Sequence, residues 1–123
     1  MTTKKPRSTP TLKRGAVVIV KYPNSDLKSV KLRPAVVIER DELQTGLTQI
    51  IVAMISSQTA RAGHPSRVLI QRHTSAGRQS GLLHDSVVMT DNLTTVIAKA
   101  VSRVIGSLPR AGIDAALRHT LDL

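Results

Sequence analysis

Apolar residues fall along this chain in short runs, each closed by a turn signal. The first is Ala16-Val17-Val18-Ile19-Val20, a short buried strand ended by Tyr22-Pro23-Asn24, where proline and asparagine favour a turn. The second, Ala35-Val36-Val37-Ile38, is unbroken and mostly β-branched, and reads as a strand buried on both faces or lying at a barrel core. Pro34 biases the residue before it toward extended backbone and removes one ladder donor. Arg33 is therefore expected at the mouth of this strand, as its first ordered residue after a polar loop over Ser25 to Lys31. After a charged turn at Glu39-Arg40-Asp41-Glu42 and a break at Gly46, Gln49 to Ile55 forms the third and most apolar run. Ser56-Ser57-Gln58-Thr59 follows it and brings hydroxyls to where a buried strand reaches the surface.

Ser66 to Gln71 predicts a fourth strand, and residues 72–81, with Gly77 and Gly81, a loop. Val87-Val88-Met89 lies in a fifth strand, ended by an Asx-type turn at Asp91-Asn92. Val96 to Ala100 fits either a helical turn or extended chain. Val101 to Ile105 alternates well enough for a last strand, interrupted by Ser102 and Arg103 and ended by Gly106. From Pro109 the period changes: Ile113, Ala116, Leu117 and Leu121 recur at helical spacing, with Arg118 and His119 near the C-terminal end of the dipole. Many short, mostly antiparallel strands closed by one helix indicate a mainly β (α+β) fold, a small barrel. Residues 1–13, with two prolines, small polar residues and no apolar period, read as a flexible basic arm ahead of a barrel domain over 14–123.

Charge adds what the pattern does not contain. Lys and Arg number 18 against 8 Asp and Glu, a net charge of +10 with a pI near 11.2, so a polyanion is the leading partner. The arm holds only part of that excess. From Leu43 to His84 there is no acidic residue, whereas Arg61, His64, Arg67, Arg72, His73, Arg78 and His84 fall within the interval. Tyr22 is the sole Phe, Trp or Tyr, which disfavours RNA-binding modules that stack bases on several exposed rings. Cysteine is absent, so disulfides and zinc ribbons are excluded and a reducing cytoplasm is the expected compartment. The four histidines lack metal-ligand spacing, and no metal or other cofactor is expected. Ala16 to Val20 is too short for a signal-peptide core or a membrane span.

These marks together resemble the MazF/PemK (Kid) family of toxin-antitoxin ribonucleases. They run in order: Arg14-Gly15 opening strand one, Leu32-Arg33-Pro34-Ala35-Val36-Val37, then Ile51-Val52-Ala53-Met54-Ile55-Ser56-Ser57. Gly81-Leu82 with Ser86-Val87-Val88, Asp91 with Thr94 or Thr95, and Ile105-Gly106 before the last helix complete the set. The resemblance implies an SH3-like barrel, a homodimer, an acidic antitoxin partner and metal-independent cleavage of single-stranded RNA. It places Arg33 on the family's catalytic arginine and Ser56 where a catalytic threonine usually stands. Asp91 falls on a polar or acidic position lining the site in the Kid branch, whereas Met89 replaces that branch's catalytic arginine.

In-line attack of the RNA 2'-hydroxyl on its own phosphate needs alignment and stabilisation of phosphorane charge, which suits Arg33. Serine is too weakly acidic to be a good base near neutrality, so Ser56 suits orientation by hydrogen bonding. The base itself is unassigned. His64 and His84 border the site by sequence, and Ser57 and Asp91 are further supporting positions. Lys28 and Lys31 beside Arg33, and Arg61, Arg67 and Arg78 in the acid-free stretch, are the expected RNA contacts. Two alternatives are a non-enzymatic basic barrel that binds RNA or DNA, and a gyrase-inhibiting toxin of the CcdB type. The second lacks its C-terminal tryptophan here, since the chain ends Thr120-Leu121-Asp122-Leu123.

Overall fold

The computed structural model describes residues 12–23, 26–41 and 48–123. Six strands, β1 (Ala16–Pro23), β2 (Val30–Val37), β3 (Gln49–Ser56), β4 (Arg67–Ile70), β5 (Ser86–Ile97) and β6 (Val101–Ser107), form one antiparallel sheet in the order β4-β5-β3-β2-β1-β6. A short helix α1 (Ser75–Ser80) lies between β4 and β5, and α2 (Arg110–Leu121) ends the chain. The fold is mainly β with a C-terminal helix.

The unbroken apolar runs are buried on both faces of the sheet, as the second run predicts. Period-2 alternation sorts them into two cores. Val17, Val36, Ala53, Ile55 and Val88 meet Leu108, Ile113 and Leu117 beneath α2. Val18, Val20, Ala35, Val37, Val52 and Met54 face the other way, onto Val96 and Val101. Helix α2 buries Ile113, Ala116 and Leu117, whereas Leu121 stays half-exposed. At its N-terminal side, Asp114 pairs with Arg14, whose guanidinium also donates to the Ile38 carbonyl and so ties α2 to the starts and ends of β1 and β2.

Several boundaries differ from the sequence expectation. β1 runs on through Tyr22-Pro23, and β2 starts at Val30, because the two make a hairpin longer than their apolar runs. Arg33 is thus inside β2, opposite Val20, rather than at its first residue. Pro34 is tolerated there because the β2–β3 ladder begins only at Ala35, leaving β2 edge-like at that point. Of the expected Ser25–Lys31 loop, Asp26 to Ser29 is a turn in which the Asp26 carboxylate accepts the Lys28 and Ser29 amides. Residues 72–81 are not all loop. Thr74 caps α1 by accepting the Gly77 amide, and Gly81 ends it in the left-handed region. β5 does not end at Asp91-Asn92; a bulge opposite Ala53 and Met54 absorbs these residues and the strand continues to Ile97. Ala98–Ala100 is a single 3-10 turn, and β6 passes through Gly106 to Ser107. The break at Gly46 and residues 1–11 of the arm lie outside the described residues.

The edge strand β6 is covered by α1 rather than by another strand. A Cβ built on Gly81 would lie 2.1 Å from the Ile105 carbonyl oxygen, and one on Gly106 would lie 2.2 Å from that of Gln79. Backbone thus meets backbone where the sheet curls into a small barrel, and this seam carries the Gly81–Asp85 segment. No helix among the described residues is long and apolar enough to cross a membrane.

Candidate active site

Pairing between β2 and β3 ends at Ala35 opposite Met54. Extending that register by two residues would set Arg33 opposite Ser56, yet the ladder stops short of them. β2 goes on with β1 alone, and β3 stays with β5, where Ser56 faces Val87. The strands part, and a groove of about 540 Å³ opens between them. Its floor is Ile19, Pro34 and Ile55; one wall is β2 from Lys31 to Arg33, another the end of β3 from Ser56 to Gln58. The segment Gly81 to His84 with Ser86 forms the side opposite, and β6 contributes Arg103 and Ile105.

Among the described residues, four titratable side chains line the groove: Lys31, Arg33, His84 and Arg103. None is a carboxylate, so the groove is a positive cleft suited to a phosphodiester. Ser56 adds an oriented hydroxyl. Its Oγ accepts the Gln58 amide at 3.0 Å, which fixes the oxygen and leaves the hydroxyl proton for a ligand oxygen. Leu32 and Leu83, 53% and 73% exposed, supply apolar surface on the rims. Arg103 escaped the sequence reading because it looked like an interruption of a strand. The signal was the interruption itself: an arginine in an apolar edge strand, which register places opposite Ile19 and hence one strand away from Pro34.

The expected site residues therefore divide. Arg33, Ser56, Ser57, His84 and Lys31 share the groove. Asp91, His64 and Arg67 do not line it. Arg67 forks onto Asp91, Nε to Oδ1 at 2.8 Å and Nη2 to Oδ2 at 3.0 Å, beside the β5 bulge. That hydrogen bonding holds the Asp91 carboxyl below the ordinary carboxylate range. His64 Nδ1 accepts the Ser66 amide at 3.1 Å and lies 2.7 Å from the Ser66 hydroxyl, and its ring packs edge-on against His119. Asp91 was expected both as site support and as a turn, yet it occupies a strand bulge and serves as an ion-pair partner. Arg78 turns back to donate to the His73 carbonyl. Arg61 and Lys28 are exposed and are not part of the lining. Within the acid-free interval Arg67 is paired from outside by Asp91, and Asp85 accepts the backbone amide of Arg72. Among the described residues, no group of three His, Asp or Glu side chains is placed to hold a metal ion.

A second groove lies along α2, but its carboxylates, Asp41 and Asp114, are committed to Arg14. The Arg33–Ser56 opening is the candidate site.

Residues 13–121 match the sequence profile of the PemK-like, MazF-like toxins of type II toxin-antitoxin systems. The chain belongs to this toxin family. The match covers every described strand and both helices of the toxin. Among curated relatives, Endoribonuclease MazF2 of Mycobacterium bovis is 31% identical over 105 residues, spanning 82% of this chain and 88% of its own. Mycobacterium tuberculosis toxin MazF-mt6 superposes with a TM-score of 0.68 at 25% identity, covering 88% of this toxin and 97% of that chain. A mycobacterial endoribonuclease solved in complex with its cognate antitoxin gives 0.71 at 18% identity, over 92% and 97% of the two chains; at that identity the likeness is one of fold.

Proposed function

We propose that this toxin is an endoribonuclease that cuts single-stranded RNA without a metal ion, by attack of the 2'-hydroxyl on the adjacent phosphate. The observation that carries this reading is the parted β2–β3 ladder, which leaves Arg33 and an oriented Ser56 hydroxyl in one groove whose described lining holds cations and no carboxylate. Magnesium sites in phosphoryl-transfer enzymes use carboxylates, and none of the described lining residues carries one. Arg33 stabilises the phosphorane charge, Ser56 donates to a phosphate oxygen, and Lys31 and Arg103 hold the flanking phosphates. The name of the Mycobacterium bovis relative, which shares most of its length with this toxin, supports the same reaction class.

The toxin acts as a homodimer in the cytoplasm, and an acidic antitoxin neutralises it. A net charge of +10 favours fast, salt-sensitive capture of such a partner, and a matched relative is known in complex with its cognate antitoxin. The basic residues 1–13 act as an arm that adds phosphate contacts.

The test is cleavage of a long defined RNA in EDTA, with the product ends sequenced. Cutting that leaves a 2',3'-cyclic phosphate and a 5'-hydroxyl is expected. Activity lost on chelation and restored by magnesium overturns the reaction, and RNA that is bound but never cut favours a non-enzymatic basic barrel.

A further inference from the structure

We infer that His84 is the general base that takes the 2'-hydroxyl proton, an assignment that rests on the ribonuclease reading above. The reaction needs a proton acceptor, and the groove offers few. Lysine and arginine act as cationic donors and serine is a poor base, so Lys31, Arg33, Arg103 and Ser56 suit charge stabilisation and orientation rather than proton acceptance. Imidazole is the side chain that exchanges a proton near neutrality, and His84 is the only histidine in the lining.

Its placement fits the task. The segment bearing His84 is pinned through its backbone. Gly81 is packed on Ile105, the Leu82 amide donates to Ser80 Oγ at 3.1 Å, and the His84 carbonyl accepts from Ser86 Oγ at 2.8 Å. The imidazole itself is exposed and makes no hydrogen bond to any described residue, so both ring nitrogens are open to a ligand. His64 is exposed too, but its Nδ1 is engaged by Ser66 and it lies outside the groove. Among the described residues, the charged groups lining the groove with His84 are Lys31 and Arg33 of β2 and Arg103 of β6, while the end of β3 presents the uncharged Ser56, Ser57 and Gln58. The adjacent Asp85 is turned away, with Oδ1 accepting the Arg72 amide at 2.7 Å.

The step balances without any co-reactant. The imidazole takes the proton as the 2'-oxygen bonds to phosphorus and the bond from phosphorus to O5' breaks. O5' leaves with the electron pair and is protonated by water in the open groove, and the imidazolium then returns its proton to solvent.

Single-turnover cleavage at saturating RNA, from pH 5 to 9, tests the assignment in the parent, His84→Ala and His84→Gln. The parent rate should rise through the histidine range and level off above it. Both variants should lose on the order of 100-fold or more at neutral pH, lose that bend, and bind a 2'-deoxy analogue as the parent does. Added imidazole should restore part of the His84→Ala rate. Variants that cut at the parent rate with the parent profile overturn the assignment, as does a loss confined to affinity. A slow variant that keeps the bend and ignores imidazole overturns it too. A parent that leaves RNA intact overturns the ribonuclease reading first, so the two failures are distinct.

Discussion

Gly81→Ala should cripple the toxin without touching any group proposed to contact RNA. Gly81 sits at φ +73°, and a Cβ there would lie 2.1 Å from the Ile105 carbonyl oxygen, backbone that cannot rotate away. An L-residue in the left-handed region costs about 1–2 kcal/mol, and forcing an extra carbon into close-packed structure adds about 1–3 kcal/mol. The sum, roughly 2–5 kcal/mol, is a large part of the 5–15 kcal/mol that typically separates native from unfolded. At about 3–6 °C per kcal/mol for a chain of this size, the melting temperature should fall by ~6–30 °C. Relief of the overlap moves the α1–β6 seam by about 1 Å, and with it the wall bearing His84. Misplacement of that order can cost about 100-fold in rate. Calorimetry and single-turnover cleavage, well below the variant's melting temperature, read the two effects separately. Gly112→Ala is the control: its new Cβ meets Val68 Cγ1 at 3.5 Å, an ordinary contact, and the helix should gain about 1 kcal/mol. If Gly81→Ala melts and cuts like the parent, α1 does not hold the groove wall and the seam is not what positions it.

Arg33→Ala should lower the saturating cleavage rate by about 100-fold or more with modest weakening of binding; a variant that cuts at the parent rate makes Arg33 a clamp only. Ser56→Ala should also slow cleavage, whereas Ser56→Thr keeps the hydroxyl and should retain much of the rate in the same assay. Asp91→Asn should cost no more than ~1 kcal/mol in urea denaturation at neutral pH, because the Arg67 pair is partly exposed and screened. Since the folded carboxyl is held below its ordinary range, the pair's contribution is present at neutral pH and disappears as pH falls through the acid range. The difference between parent and variant should therefore close on acidification, and a gap that persists there refutes the assignment. Removing residues 1–13 deletes Lys4, Lys5, Arg7 and Lys13, and should flatten the salt dependence of RNA affinity by up to about 3 in log-log slope while the saturating rate stays near the parent's. An unchanged slope removes the arm from RNA binding.

The local pattern determined which segments are strands, that the run at Val36 is buried on both faces, and that Ile113, Ala116 and Leu117 form one face of a closing helix. These follow from short-range periodicity, which a sequence carries directly. That Arg33 and Ser56 reach the surface beside the core was legible for a related reason: each stands where an apolar run meets polar chain. Where each strand stops was not legible, because β2 is lengthened by its pairing with β1 and β5 is carried past Asp91-Asn92 by its pairing with β3. Helix α1 was hidden because its six residues have no apolar period and include a glycine, and it is held by the Thr74 cap and by close packing on β6. Tertiary structure alone separated the two histidines, sending His64 to Ser66 and His119 and His84 to the groove. It alone brought in Arg103, which lies 70 residues beyond Arg33 in the chain and two strands away in the sheet. Register between distant strands decides such neighbours, and register is set by whole-sheet pairing that no local window contains.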